Sequence, residues 1–124
     1  MLSALEVIGV LPAQDLQRAR GFYRDKLGLD PAEVRDDGVL YRTSSGSFLV
    51  YETPNAGSAK NTQLCWITND IVAEVAELRG KGVVFEEYDF PGLKTENGIA
   101  VTEGIKGAWF LDTEGNILCL SERR

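Results

Sequence analysis

One supersecondary pattern occurs twice in the chain. Residues 38–53 and 107–122 each consist of an apolar run of strand length, a polar turn with glycine, and a second apolar run. The two segments align over a spacing of 69 residues, so that Gly46 in the first turn corresponds to Gly115 in the second. A glycine turn between two such runs is typical of a β-hairpin. A repeated hairpin therefore restricts the chain to folds built from two similar modules.

A strand pattern and an amphipathic helical pattern precede each hairpin. Asp15 and Asp70 stand directly before the helical patterns, where a carboxylate can accept hydrogen bonds from free backbone N–H groups. The sequence predicts strands over residues 5–11, 39–43, 48–52, 62–68 and 83–88, and helices over residues 16–27 and 71–79. We therefore expect two βαβββ modules, about residues 1–54 and 62–124, joined by a linker at about residues 54–61.

The repeat is interrupted once, by an insertion at residues 89–106. This segment carries Phe90, a Pro91-Gly92 pair, Leu93 and an Asn97-Gly98 pair. Loops of this length are uncommon in compact domains and often act as lids over binding sites. We expect a mobile loop whose apolar tip covers a ligand, with packing against a neighbouring subunit as the alternative.

Composition excludes several classes of partner and chemistry. At 124 residues the chain is expected to form one domain, residues 1–124. Its net charge of −6 argues against nucleic acid or an anionic membrane as partner. It has no histidine, the commonest metal ligand and proton carrier near neutral pH. No apolar run reaches membrane-spanning length and no secretory signal is visible, so we expect a cytoplasmic protein with reduced Cys65 and Cys119.

Two motifs carry a resemblance to a known family. The first helical pattern reads DLQRARGFY over residues 15–23, followed by Leu-Gly-Leu at residues 27–29, and the second hairpin contains WFLDTEGN over residues 109–116. In this order, and with the internal repeat, they resemble the D-L-x-x-S/A-x-x-F-Y…L-G and F-x-D-P-D-G-N patterns of the vicinal oxygen chelate (VOC) superfamily. That superfamily comprises glyoxalase I, bleomycin-resistance proteins and extradiol dioxygenases. Thr113 stands where the family usually has proline.

The resemblance covers the whole chain and implies an α+β fold. Two βαβββ modules would form an incomplete, cup-shaped barrel with the helices outside and a small-molecule ligand inside. Small single-chain members of the superfamily usually pair, and an incomplete sheet leaves free strand edges. We therefore expect a homodimer.

The metal chemistry of the family is not expected here. The ligand positions implied by the resemblance are Ile8, Val50, Gln63 and Cys119. Isoleucine and valine offer no lone pair, whereas hard cations require several oxygen ligands and zinc requires nitrogen or thiolate. We therefore expect no metal and no other cofactor. A displaced site formed by Glu6, Glu52 and Gln63 is left open as an alternative.

Alternation along the strands, counted from those four positions, predicts the lining of the cup. Trp109 stands ten residues before Cys119, and the two are expected to meet across the second hairpin. Leu40 stands ten residues before Val50 and is expected to meet it across the first. The predicted ligand-binding residues are Arg42, Phe48, Val50, Gln63, Cys65, Phe90, Trp109 and Cys119. Leu49, Tyr51, Trp66 and Leu118 are expected beneath the helices. A closed core in place of a pocket is the alternative.

Three functional classes fit these expectations. The first is a metal-free protein that binds or sequesters a small apolar or aromatic molecule, as bleomycin-resistance proteins do. The second is a lyase, isomerase or other enzyme on the same fold, in which Glu52 would act with Cys119 or Tyr41, although no catalytic set is evident. The third is an interaction module with a vestigial pocket. The first class is the one we favour from the sequence.

Overall fold

The computed structural model describes residues 1–123 and has an α+β fold. A short 3-10 helix spans Leu2–Ala4, and the two α-helices of the described residues are α1 (Leu16–Asp25) and α2 (Ile71–Gly80). Over the described residues the strands are β1 (Gly9–Ala13), β2 (Glu33–Arg35), β3 (Gly38–Arg42), β4 (Ser47–Glu52), β5 (Thr62–Ile67), β6 (Asp89–Phe90), β7 (Leu93–Glu96), β8 (Ile99–Thr102), β9 (Ile105–Leu111) and β10 (Ile117–Arg123). No helix among residues 1–123 is long and apolar enough to cross a membrane.

The strands form two open sheets with the same internal order. Sheet 1 has the order β1-β4-β3-β2, and sheet 2 has the order β5-β10-β9-β8 with β7 and β6 added at its edge. In each sheet the first strand runs parallel to the last strand of the hairpin, because a helix connects them. This equivalence is the structural form of the sequence repeat, and the two cup-like sheets match the expected fold class.

Both helices begin at the residues that the sequence indicates. The Asp15 carboxylate accepts a hydrogen bond from the Arg18 N–H at 3.0 Å, and the Asp70 carboxylate accepts one from the Ala73 N–H at 3.1 Å. Each bond satisfies one of the N–H groups that the first helical turn leaves free. Each helix packs on one face of its sheet, which we call the helix face. The opposite face of each sheet is called the open face.

The turn of the second hairpin connects the two modules. The buried Asp112 accepts a hydrogen bond from the Tyr23 hydroxyl of α1 at 2.6 Å. The Asn116 side chain donates to the backbone oxygen of Pro12 in β1 at 2.9 Å. Glu114 binds Arg18 of α1. One turn therefore holds the first helix and the first strand of the other module through buried polar groups.

Two predicted strands differ from those observed. The first begins at Gly9 rather than residue 5 and ends at Ala13, two residues beyond its predicted end at residue 11. Pro12 is tolerated because β1 is the edge strand of sheet 1, where a missing N–H costs no ladder bond. The strand predicted over residues 83–88 is reduced to a single bridge between Phe85 and Phe110. Its place in the sheet is taken by β8.

The insertion is not a free loop. Residues 89–106 form β6, β7 and β8 and the start of β9, which extend sheet 2. Asn97 and Gly98 both have positive φ, at 53° and 81°, and connect β7 to β8 as a tight hairpin turn. The expectation of a long lid loop is therefore wrong for residues 93–106. Only the short β6–β7 hairpin at residues 89–93 projects from the edge of the sheet.

The first hairpin has a shorter loop than the second, and this difference exchanges the two faces of strand β4. In the second hairpin Leu111 pairs with Ile117 and five residues form the loop, whereas in the first Arg42 pairs with Ser47 and four residues form it. A change of one residue exchanges the two faces of a strand. Phe48 therefore lies on the helix face, where its ring centroid is 5.8 Å from that of Tyr23 in α1.

The predicted facing of β4 is consequently corrected. Val50 pairs with Val39, not with Leu40, and Phe48 and Val50 are buried in the core beneath α1. Leu49 and Tyr51, which were expected under the helix, lie on the open face instead, because side chains alternate along a strand. The expectation for Trp66 and Leu118 is correct, since both pack on the core beneath α2.

Candidate functional site

The open face of sheet 2 carries a row of side chains from three neighbouring strands. Cys65 of β5 pairs with Cys119 of β10, and Cys119 pairs with Trp109 of β9. Paired residues project from the same side of a sheet. Leu111 pairs with Ile117, so these two apolar side chains continue the same face towards the hairpin turn.

A cleft of about 600 Å³ lies at this end of the open face. Its floor is formed by strands β9 and β10, one wall by the segment before β5, and the other wall by the β6–β7 hairpin. The lining residues are Gly57, Ala59, Lys60, Asn61, Thr62, Tyr88, Phe90, Leu93, Trp109, Leu111, Gly115 and Ile117. A cavity of this size and composition is suitable for a small organic ligand, because such sites are mostly apolar with few polar groups.

The indole of Trp109 is held in one orientation. Its Nε1–H donates a hydrogen bond to the Thr62 hydroxyl oxygen at 3.1 Å. On the other side the ring lies against Gly107, where an added Cβ would be 2.9 Å from the indole Cη2. A glycine is therefore required at position 107 for the ring to lie along the sheet. Thr62 and Gly107 together fix the largest side chain of the cleft.

Two further aromatic rings stand beside Trp109. The Tyr88 ring centroid is 5.6 Å from that of Trp109 with the planes at 67°, and Phe90 stacks on Tyr88 at 5.7 Å with the planes at 25°. Partial burial raises the pKa of the Tyr88 hydroxyl, which therefore stays neutral at physiological pH. Phe90 is 58% exposed, a large fraction for a phenylalanine that belongs to an aromatic cluster.

The predicted site residues divide into two groups. Trp109, Cys119 and Cys65 share the open face of sheet 2, and Phe90 reaches the same cleft from the insertion. The four others lie elsewhere. Phe48 and Val50 are in the core, and Arg42 is exposed at the end of β3. The Gln63 amide donates to the Asn116 side chain and accepts from the Ile117 N–H, both at 3.0 Å.

The sequence did not indicate Thr62 or the linker residues of the cleft wall. Between β5 and β10 the register shifts by one residue: Thr62 pairs with Ile117, and Leu64 pairs with Leu118. Gln63 is thus the extra residue of a β-bulge, and Thr62 faces the same side as Trp109. A bulge leaves no trace in the apolar alternation, whereas Tyr88 and Leu93 carry a signal in the sequence, because they stand beside and within the insertion expected to cover a ligand.

The two cysteines of the chain are neighbours. Both thiols are free; Cys65 is exposed, and Cys119 is 6% exposed. The neighbouring thiol of Cys119 lowers the pKa of the Cys65 thiol to about 7. The same interaction, together with burial, raises the pKa of Cys119. The two thiols therefore titrate as a pair, in which the pKa of the exposed Cys65 is lowered and that of the buried Cys119 is raised.

A second, smaller cavity of about 260 Å³ lies on the helix side, between the modules. Leu27 and Leu29 follow α1 on one side, and Leu78 of α2 and Trp66 of β5 lie on the other. Each tryptophan of the chain therefore lines a different cavity, Trp66 the inner one and Trp109 the cleft.

The donor atoms do not fit the metal of the metal-dependent superfamily members. Val50 is buried beneath α1, Ile8 has no donor atom, and the Gln63 amide is engaged by Asn116 and the backbone. No group of three His, Cys, Asp or Glu side chains converges anywhere in residues 1–123. The displaced alternative needs Gln63 beside Glu6 and Glu52, and the amide of Gln63 is already engaged by the Asn116 side chain and the Ile117 N–H.

The groups suggested for an enzyme are also separated. Tyr41 lies on the helix face, where its ring stacks on Phe48 at 5.2 Å, whereas Cys119 lies on the open face of the other sheet. Glu52 is exposed at the end of β4. An acid and a nucleophile must be within hydrogen-bond reach to act together, and these three residues do not form such a set.

Comparison with known proteins gives a consistent assignment. A family model described as Glyoxalase/Bleomycin resistance protein/Dioxygenase superfamily matches residues 5–120. No curated protein matches the chain significantly in sequence.

Solved structures of the same size share the architecture. A glyoxalase/bleomycin resistance protein/dioxygenase from Alicyclobacillus acidocaldarius is 16% identical, with 96% of this chain and 91% of that chain covered and a TM-score of 0.70. A glyoxalase / bleomycin resistance protein from Catenulispora acidiphila is 20% identical, with 97% and 99% covered and a TM-score of 0.68. TnmS3, an antibiotic binding protein from Streptomyces sp. CB03234, is 21% identical, with 98% of each chain covered and a TM-score of 0.66. At these identities the likeness shows the fold alone.

Proposed function

Because the chain belongs to the glyoxalase/bleomycin resistance protein/dioxygenase superfamily, we propose that it is a binding protein for a flat, apolar or aromatic small molecule. The ligand lies in the cleft beside Trp109 and is held without covalent chemistry. The single observation that carries this proposal is the fixed indole of Trp109, which Thr62 and Gly107 orient before any ligand arrives.

A fixed aromatic surface favours binding for two reasons. A ring that is already ordered loses little conformational entropy when a ligand stacks on it. Aromatic pairs with centroids 4.5–7 Å apart also gain about 0.5–1.5 kcal/mol beyond the area they bury. Tyr88 and Phe90 offer additional ring surface on the same side of the cleft. The preferred ligand is therefore planar and large enough to contact more than one ring.

Apart from the Tyr88 hydroxyl, the polar side chains of the cleft are few and lie on one side. Lys60, Asn61 and Thr62 line the wall before β5, and Lys60 is the charged side chain of that lining within the described residues. A single cation at the rim is compatible with a ligand that carries one negative charge or a polar substituent. It is poorly suited to a multiply charged ligand such as a nucleotide.

Binding has more support than catalysis. The lining of the cleft contains no carboxylate, cysteine or histidine among the described residues, so that Tyr88 and Lys60 are its titratable side chains. A glyoxalase-like lyase or isomerase needs a base within reach of its substrate, and neither residue has a carboxylate partner in the lining. The solved fold of TnmS3, named an antibiotic binding protein, supports binding as a role that this architecture can perform.

We expect the protein to act in the cytoplasm as a homodimer. A reducing compartment keeps Cys65 and Cys119 as free thiols. Apolar side chains on the open face of sheet 1, among them Val10 and Tyr51, are exposed in the single chain. Burial of this surface against a second copy would remove an exposed apolar patch from water.

The binding proposal is tested with a fluorescent aromatic anion. We would titrate the protein with 1-anilinonaphthalene-8-sulfonate (ANS), which combines flat rings with one negative charge. Phe90→Ala removes one ring of the cleft, and Val101→Ala is the matched control, because Val101 is 59% exposed and lies outside the cleft. Phe90→Ala should weaken ANS binding roughly tenfold, the equivalent of 1.4 kcal/mol, while Val101→Ala leaves it unchanged.

Two outcomes would contradict the proposal. One is unchanged ANS affinity in Phe90→Ala, and the other is an equal loss in both variants. Near-ultraviolet circular dichroism of each variant identifies ANS binding to a loosened core, since such states lose the signal of fixed aromatic side chains.

A further inference from the structure

The cysteine pair has a geometry that the binding proposal does not use. Cys65 and Cys119 are register partners on adjacent parallel strands, and both project from the open face. Neighbouring strands lie about 4.7–4.9 Å apart, and the Cα atoms of a disulfide are usually about 4.4–6.8 Å apart. Two cysteines opposite one another on β5 and β10 therefore meet the Cα distance requirement.

We propose that Cys65 and Cys119 form a thiol–disulfide site that a hydroperoxide oxidises. The two residues have different roles because their exposures differ. Cys65 is exposed and reacts with the oxidant, whereas Cys119 is 6% exposed and attacks Cys65 afterwards. The inference does not depend on a ligand in the cleft, since neither cysteine belongs to the lining of that cleft.

The reaction is balanced with hydrogen peroxide as the oxidant. The Cys65 thiolate attacks one peroxide oxygen and the O–O bond breaks. The departing hydroxide takes up a proton to become water, and Cys65 becomes a sulfenic acid. Sγ of Cys119 then attacks Sγ of Cys65, forming the S–S bond and breaking the S–O bond. The second hydroxide leaves with the proton of Cys119 as water. The sum is one dithiol plus one peroxide giving one disulfide and two waters.

The electrostatics of the pair agree with this order of events. The thiolate is the reactive form of cysteine, and the neighbouring Cys119 thiol lowers the pKa of Cys65 to about 7. The positive charge of Arg123 acts in the same direction. Cys119 has a raised pKa and stays protonated until its partner is oxidised. A resolving thiol beside a reactive one also protects Cys65 from irreversible oxidation, since the disulfide can be reduced again.

The test uses the full chain, in which Cys65 and Cys119 are the two cysteines. The reduced protein is treated with one equivalent of hydrogen peroxide and examined by intact mass spectrometry. We expect the mass to fall by about 2 Da, for two hydrogens lost in disulfide formation, and to return with dithiothreitol, with the product remaining a single chain on a denaturing gel without reductant. A product that gains oxygen at either cysteine, located by mass spectrometry of peptides so that oxidation of the exposed Met1 is set apart, or chains linked to one another, would overturn the proposal.

Two matched variants test the roles of the cysteines. In Cys119→Ser the reaction should stop at a sulfenic acid on Cys65, which dimedone traps as a stable adduct. In Cys65→Ser the buried Cys119 should give at least tenfold less adduct under the same conditions. Equal labelling of the two variants would contradict the assignment. The mass measurement on the unmodified chain remains decisive even where a serine variant folds poorly.

Discussion

At the scale of single residues, the site depends on how Trp109 is held. The hydrogen bond from its Nε1–H to Thr62 fixes one end of the indole, and the absence of a side chain at Gly107 leaves room for the other. Burial alone would allow the ring to occupy several rotamers. The two contacts together explain why a large aromatic side chain lies along the sheet and forms a surface for a ligand.

The role of Gly107 leads to a prediction. In Gly107→Ala the new methyl group would be 2.9 Å from the indole Cη2, so the ring has to move. We expect ANS binding to weaken by roughly three- to tenfold, corresponding to about 0.7–1.4 kcal/mol, with an altered near-ultraviolet dichroism of tryptophan. The control is Gly21→Ala in α1, where the nearest atom is 3.9 Å away. An equal effect of both substitutions would show that Gly107 does not position Trp109.

The residues of the site were only partly predictable from the sequence. Trp109, Cys119 and Cys65 follow from simple alternation along the second hairpin and the strand beside it. Thr62 does not, because the bulge at Gln63 shifts the alternation by one residue. Hydrogen bonding across the sheet decides the position of such a bulge, and the apolar pattern of a single strand carries no record of it.

At the scale of elements, the β6–β7 hairpin is the wall of the cleft with the fewest connections to the rest of sheet 2. Strand β6 has two residues, and the Pro91-Gly92 turn follows it, with Gly92 at a φ of 84°. The hairpin forms the outer edge of sheet 2. Of its two strands, β7 is the one that pairs with the rest of the sheet, through β8. Short edge strands with few neighbours open locally at little cost in free energy.

We therefore predict a gradient of amide hydrogen exchange across sheet 2. Amides of residues 89–93 should exchange much faster than those of β9 and β10 in the free protein, and they should slow when ANS is bound. Exchange measured by mass spectrometry on peptic fragments distinguishes these segments. Equal protection of the hairpin and β10 in the free protein would show a fixed wall instead.

The elements also show what a repeat in sequence can and cannot predict. The caps Asp15 and Asp70, both helices and both hairpins are where the pattern places them, because each depends on local chemistry. The prediction of which side chains of β4 face the helix was wrong, because the loop of its hairpin has one residue fewer than the loop aligned with it. Facing depends on the register between strands, which the alignment of two glycines does not determine.

At the scale of the whole molecule, the two modules are held together by Glu114. Its side chain is fully buried and accepts five hydrogen bonds. The donors are the backbone N–H groups of Gln14 and Asp15, Nε and Nη2 of Arg18, and the Thr113 hydroxyl, at 2.7–3.0 Å. Burial by itself would raise the pKa of Glu114, but these donors reverse the effect and lower it to about 2.

The lowered pKa of Glu114 predicts how the stability of the protein depends on pH. The folded-state pKa of Glu114 lies below its ordinary value of 4.5, so its contribution is complete above about pH 4.5 and is lost as the pH falls towards 2. Glu114→Gln should lower the free energy of unfolding at pH 7 by about 2–4 kcal/mol, because an amide cannot accept all of these bonds. Urea unfolding should show the difference between the two proteins shrinking below pH 4.5.

The matched control for Glu114 is the surface ion pair between Arg24 and Asp25. Both of these side chains are largely exposed, and such pairs contribute about 0–1 kcal/mol. Asp25→Asn should therefore change the unfolding free energy by less than about 1 kcal/mol. A loss in Glu114→Gln no larger than in Asp25→Asn would show that Glu114 does not join the modules.

The expected homodimer is tested at the same scale. Light scattering of the unmodified protein should give about twice the chain mass of 13.6 kDa. Val10→Lys places a charge on the open face of sheet 1, where Val10 is 53% exposed, and should give single chains. Val84→Lys is the control, because Val84 is 83% exposed and lies outside the sheets. A monomeric unmodified protein, or equal dissociation of both variants, would contradict the expected interface.

The central claim, that the cleft beside Trp109 binds an aromatic ligand, is tested most directly by the two indole N–H groups. Trp109 lines the cleft and Trp66 lines the inner cavity, and each gives its own signal in a ¹H–¹⁵N correlation spectrum. On titration with ANS, the indole signal of Trp109 and the amide signals of Thr62 and Phe90 should shift together, while the indole signal of Trp66 stays in place. A shift at Trp66 with no change at Trp109 would contradict the account.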